Sequence, residues 1–261
     1  MNSQIVLALL SDAGGVGKTT IAVNIAYEWA TRGRSVAILD LDANHSLETF
    51  VGLKGESNQE KTSCQVFESE FQGNWELKQV LASEKIAIVQ GHSSLTAENI
   101  ANRKRREYIL SKALKKFPLP HSLVILDCRA GLDLITDNAL AASTHILIPL
   151  DLGVKAKTVA SSIKRILVES ENLELDPRPK IMGLLPNHYN KGAAYEEQLL
   201  EALGKIALRL KLKLYPPVRR WGHLKNASTL GQALKQNRAG DPLCQIFGEI
   251  ADDLEGILNN G

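Results

Sequence analysis

The sequence predicts an α/β protein: a doubly wound, mostly parallel sheet with helices on both faces. Short apolar runs alternate with helical patterns along all 261 residues, as in a parallel sheet covered on both sides. The first run opens into a glycine-rich turn and then an amphipathic helix. Two later runs end in aspartate, at the strand ends where an open α/β sheet places its ligand crevice.

The strands expected are Ile5–Leu10, Ser35–Leu39, Lys85–Val89, Leu123–Leu126, His145–Pro149 and Ile181–Leu185, with Lys211–Tyr215 a weaker one. The first helix should run from about Lys18 to Arg32 and stop at Gly33, a suitable C′ residue. Residues 103–116 read as a basic helix. Asp241 as N-cap and Pro242 at the first helical position open the last helix. Between Gly55 and Gly73 the composition turns polar and loses periodicity, as in a variable loop or short helices. The length fits one domain over residues 1–261 better than two.

The glycine-rich turn is Ser11-Asp12-Ala13-Gly14-Gly15-Val16-Gly17-Lys18-Thr19-Thr20. Its glycines let the backbone approach an oligophosphate, and successive N–H groups and the helix N-terminus then point at it. Lys18 is spaced to reach the β- and γ-phosphates, and the Thr19 hydroxyl to ligate Mg²⁺. The loop is a variant of G-x-x-x-x-G-K-[ST], because Asp12 takes the place of the usual first glycine. Strand before and helix after make it a P-loop, so the chain is expected to bind a nucleotide. Asp40-Leu41-Asp42 and Leu126-Asp127-Cys128 complete the set, one carboxylate to hold the Mg²⁺ water shell and another to orient attacking water.

With these motifs the chain resembles the ParA/MinD family of deviant Walker ATPases. The matching residues are Gly14 to Thr20, Asp40-x-Asp42, the Leu126-Asp127-Cys128 strand end, Thr136-Asp137-Asn138-Ala139-Leu140 and Ile148-Pro149. The resemblance looks closest to the ParA branch and covers nearly the whole chain, with a poor match from about Gly55 to Lys85. It implies a P-loop NTPase fold and a slow ATPase in which two subunits sandwich two ATP molecules. It also implies that Gly14, Gly15, Val16, Gly17, Lys18, Thr19 and Thr20 cradle phosphates and that Thr19, Asp40 and Asp127 support Mg²⁺. Asp42 would orient the attacking water. Asn187 falls where the family contacts adenine, although a buried asparagine anchoring the loop accounts for it equally well.

The resemblance fails at one residue. Family members carry a signature lysine immediately before the paired glycines, and here that position is Ala13. Without replacement, the lost charge-assisted hydrogen bond forfeits roughly 1.5–3 kcal/mol. The McdA branch, which positions carboxysomes, also lacks that lysine and uses one from the C-terminal half. Ala13 with Lys155 is similar to that arrangement; Lys157 is the second choice. On residues alone, Lys155 and Lys157 read as exposed lysines opening a helix.

The 31 basic and 29 acidic side chains nearly balance, but they are segregated. No Asp or Glu occurs between Lys205 and Gly240, a stretch holding nine Lys and Arg residues. Such segregation suggests a polyanion partner, and solvated helix faces are the alternative. In the ParA resemblance this region binds DNA without sequence preference, through Arg219, Arg220 and Lys225 here; Arg219 or Arg220 could instead line the nucleotide pocket. Trp221 reads as a loop anchor. The last residues are acidic, unlike the basic membrane-docking helix of MinD relatives, so no membrane partner is expected. Cys64, Cys128 and Cys244 form no C-x-x-C pair, which argues against disulfides, zinc or a metallocluster carrier. No export signal or spanning segment is read, so the expected location is the cytoplasm, on the nucleoid.

Taken with these readings, the ParA resemblance implies an ATP- and Mg²⁺-dependent homodimer that binds DNA, with a ParB- or McdB-type cargo adaptor stimulating hydrolysis. Three alternatives stay open: a plasmid or chromosome partition ATPase, a switch that hardly hydrolyses, and an amide-forming P-loop ligase.

Overall fold

A computed structural model describes residues 4–44, 46–53, 61–153, 156–220 and 222–260, with side chains for all of these except 156–159 and 162. The chain forms strands β1 (Ile5–Leu9), β2 (Val36–Leu41), β3 (Lys78–Val80), β4 (Ser83–Val89), β5 (Leu123–Cys128), β6 (His145–Asp151), β7 (Lys180–Asn187) and β8 (Lys213–Leu214). Helices α1 (Lys18–Thr31), α2 (Leu47–Phe50), α3 (Ala97–Ile100), α4 (Ile109–Lys116) and α5 (Leu134–Ala142) precede β6. Then come α6 (Ala156–Asn172), α7 (Ala194–Leu210), α8 (Gly222–Thr229), α9 (Leu234–Asn237) and α10 (Leu243–Asn260).

The strands make one sheet in the order β3-β4-β2-β5-β1-β6-β7-β8. All neighbours are parallel except β3 and β4. The period of two along β1 explains its unbroken apolar sequence. Ile5, Leu7 and Leu9 enter a core layer with α1, α8, α9 and α10, whereas Val6, Ala8 and Leu10 enter the opposite layer with α4, α5, α6 and α7. A strand covered on both faces has no side that can be polar. The chain leaves β1 for β2 on one side and later leaves β5 for β6 on the other. The order therefore reverses around β1, and the crevice opens at the carboxyl ends of β2, β5 and β1.

Two expectations need correction and one is extended. Lys85–Val89 is a strand as expected, within β4, which starts at Ser83 and also pairs with the unexpected β3 through Leu81 and Ala82, both at positive φ (56° and 50°). The basic 103–116 segment is helical only from Ile109, after a 3-10 turn at Arg106–Tyr108, because Arg105 sits in the left-handed region at φ 53°. In Lys211–Tyr215 only Lys213–Leu214 pairs, since Lys211 is the left-handed cap of α7. Ser63–Phe67 forms a 3-10 helix, within the segment read as loop or short helices. Asp241 caps α10 as expected, accepting from the Leu243 N–H at 3.0 Å.

Candidate nucleotide site

The loop between β1 and α1 is held from three sides. Gly17 sits at φ 87° and begins α1, with its carbonyl accepting from the Ile21 N–H at 2.9 Å. A Cβ on Gly17 would stand 2.4 Å from Asn187 Nδ2, so only glycine fits. Asn187, 3% exposed at the end of β7, donates to the Val16 carbonyl at 2.8 Å and accepts from the His188 N–H at 2.8 Å. Its amide is thus a fixed anchor of the loop. The Gly131 N–H donates to the Ser11 carbonyl at 3.3 Å, tying the exit of β5 to the start of the loop.

Lys18 lies under this loop, buried, with Nζ donating to the Ala13 carbonyl at 3.4 Å. Burial lowers its pKa, opposed by the nearby Cys128, Asp127 and Asp42. On the neighbouring strands Asp40 and Asp127 stand opposite each other in register. Asp40 Oδ1 accepts from the Asp42 N–H at 3.0 Å. Asp40 Oδ2 and both carboxylate oxygens of Asp127 have no hydrogen-bond partner among the described residues. Burial, then Asp127, raises the Asp40 pKa well above the carboxylate range. Burial pushes Asp127 up to about 7, against the nearby Thr19 hydroxyl, which makes no hydrogen bond of good geometry to it, and the Lys18 ammonium. Buried carboxylate oxygens without partners beside a phosphate loop are the setting a Mg²⁺ ion and its waters would satisfy. Among the described residues no group of three or more His, Cys, Asp and Glu side chains could hold a metal ion.

Asp42 is partly buried and reaches the loop beyond β2, where Oδ1 accepts from the Asn44 N–H and side-chain amide, both at 3.0 Å. Two supports of this segment carried no sequence signal. Ser63 Oγ donates to the Asp40 carbonyl at 2.6 Å, and a Cβ on Gly91 would stand 2.8 Å from Asp40 Cγ and from the Asp42 carbonyl oxygen. Cys128 is buried, its thiol pKa raised by burial and its Sγ 3.4 Å from the Leu126 carbonyl, as a small packing residue.

A cavity of about 650 Å³ opens on the Gly17 and Thr20 side of the loop. Asn187, Phe50 of α2, Arg219, Arg220 and Lys225 line it as well. The three cations read from sequence as DNA contacts therefore border the same cavity as Gly17 and Thr20 of the loop. Beside them His188 Nδ1 is 3.3 Å from Asp151 Oδ2, while Asp151 Oδ1 accepts from the Gly153 N–H at 2.8 Å. Lys155 and Trp221 lie outside the described residues, as does the side chain of Lys157. The end of the chain is docked: α10 buries Phe247, Ile250 and Leu254, and its acids pair with Arg32, Arg34 and Lys213. No helix among the described residues is long and apolar enough to cross a membrane.

A glycine-rich loop leading into a helix, a buried lysine and strand-end aspartates on a doubly wound sheet define a P-loop NTPase. A family model described as an AAA domain matches residues 4–175, and the chain belongs to that family. Within it the chain is a deviant Walker ATPase of the ParA/MinD type. The chromosome partitioning protein ParA of Myxococcus xanthus is 27% identical over 200 residues, 75% of this chain and 69% of that protein. A complex of a Cyanothece McdA aspartate variant with ATP superposes with a TM-score of 0.84, at 19% identity and over 98% of both chains. Cobyrinic acid a,c-diamide synthase of Mycobacterium smegmatis, with an ATP analogue and magnesium, gives 0.78 at 23% identity, over 95% of this chain and 93% of that one. These two structural likenesses concern the fold alone.

Proposed function

We propose that this protein is a ParA-type positioning ATPase, which binds ATP with Mg²⁺, forms a sandwich dimer, attaches to DNA without sequence preference and hydrolyses ATP slowly. The observation that carries the reading is the pair of buried strand-end carboxylates with unpartnered oxygens, next to the buried Lys18 and the Gly14–Thr20 loop. Lys18 and the loop N–H groups hold the β- and γ-phosphates. Thr19, Asp40 and Asp127 hold Mg²⁺, which when bound offsets phosphate charge. Asp42 orients the water that attacks the γ-phosphate. Asn187 holds the loop and borders the base pocket, where its family counterpart meets adenine.

Lys155, with Lys157 second, supplies the cation missing at Ala13, and this pattern suits an McdA-like role with an McdB-type adaptor on carboxysome cargo. A plasmid or chromosome role with a ParB-type adaptor uses the same site. Arg219, Arg220 and Lys225 provide the DNA contacts, close enough to the nucleotide for its state to govern them. The cytoplasm and the nucleoid are the corresponding location.

The test is DNA binding with ATP, ADP or no nucleotide, for the wild type, Lys155→Ala and Lys157→Ala. Binding to any duplex with ATP alone, lost in Lys155→Ala, is expected. ATP-dependent dimerisation and hydrolysis that survive Lys155→Ala overturn the replacement-lysine role. The fold shared with the diamide synthase supports a second reading as an amide-forming ligase, marked by ATP turnover with an acid substrate and no response to DNA.

A further inference from the structure

Asp12 is an unusual residue at the entry of a phosphate loop, because it sets a negative charge beside a polyanion. The Lys18 ammonium, which reaches for the β- and γ-phosphates, lies against the carbonyl of residue 13, the next residue along. The cavity is lined by Gly17 and Thr20, at the helix end of the loop, and among the described residues not by Asp12. Asp12 therefore stands at the γ-phosphate end. Arg165, on α6, places one guanidinium nitrogen, Nη1, 2.8 Å from Asp12 Oδ1 and 2.7 Å from Oδ2. Side-chain exposure is 55% for Arg165 and 22% for Asp12, so the pair is screened and adds little to stability. Its electrostatic effect on a nearby phosphate is a separate matter.

We propose that Arg165 is a positioning residue of the nucleotide site that neutralises Asp12 and so sets the preference of the loop for ATP over ADP. The inference rests on the nucleotide reading above. ATP carries one more negative charge than ADP, at the end where Asp12 lies. An uncovered Asp12 should therefore penalise the triphosphate more. A simple mechanical tether between α6 and the loop would disturb both nucleotides alike.

The test is the affinity of the full-length protein for ATPγS and for ADP, with Mg²⁺ at low salt. Wild type, Arg165→Ala, Asp12→Asn and the double variant Asp12→Asn/Arg165→Ala are compared, with thermal melting to verify folding and Arg165→Gln in reserve. Arg165→Ala should weaken ATPγS about two- to fivefold and ADP less, an effect that fades as salt rises. Asp12→Asn should bind ATPγS at least as well as the wild type, and the double variant should recover wild-type affinity. The inference is overturned if Asp12→Asn weakens binding as Arg165→Ala does, if both nucleotides shift equally, or if the double variant stays weak. Wild-type binding of either nucleotide decides the nucleotide reading itself; a wild type that binds neither removes both.

Discussion

Asp40 and Asp127 face each other across β2 and β5, each 1% exposed, with three of their four carboxylate oxygens unpartnered among the described residues. Two adjacent buried acids are costly to ionise, and a cation between the loop and the strands relieves that cost. Asp127→Asn should therefore leave the nucleotide-free chain at least as stable, by a gain on the order of 1 kcal/mol, while Mg²⁺-dependent nucleotide binding weakens. Thermal melting with and without Mg·ATP reads both. A lower melting temperature without ligand would show that the carboxylate serves folding instead.

Gly17 and Asn187 form the second prediction. Gly17→Ala puts a methyl group onto the Asn187 amide at a positive φ, which should cost about 1–3 kcal/mol and abolish nucleotide binding. Gly17→Ala/Asn187→Ala relieves the clash but not the backbone conformation. Melting of the double variant should thus recover only in part.

Asp137 offers a pH dependence away from the site. Burial, then Glu169, Asp133 and Glu107, raises its carboxyl to about 7 in the folded chain, from 3.8. The folded state then holds this proton more tightly than the unfolded chain. Its contribution to stability is complete below pH 4 and is lost as pH rises towards 7. The melting temperature of Asp137→Asn relative to wild type should therefore climb from pH 5 to pH 8. A constant difference would contradict the shift.

The cations at the cavity edge give a fourth prediction. Each of Arg219→Ala, Arg220→Ala and Lys225→Ala should weaken ATP-dependent DNA binding and flatten the plot of log K against log salt by about 0.9 per contact. Gel shifts across a salt series measure this. A variant that changes nucleotide affinity and leaves the salt slope intact is a pocket residue only.

Local signals made the core of the site legible in the sequence. The loop glycines, Lys18, Thr19 and the strand-end aspartates are short motifs on apolar strands, and the parallel sheet follows from those strands. The β3–β4 hairpin was not legible, because Leu81 and Ala82 take positive φ without the Gly or Asn that normally marks such a turn. Ser63 beneath Asp40, Gly91 against it, Asp151 with His188 and Arg165 on Asp12 join residues far apart in sequence. The tertiary fold alone brings each of them together. The basic 205–240 stretch was visible as charge, but its position on the rim of the nucleotide cavity was not.

The most direct measurement is phosphate release by wild type and Asp42→Ala, alongside the affinity of each for Mg·ATP. If Asp42 orients the attacking water between the loop and the strand-end acids, ATP affinity should stay near wild type while release falls by about a hundredfold or more. An Asp42→Ala protein that releases phosphate at the wild-type rate would contradict the account at its centre.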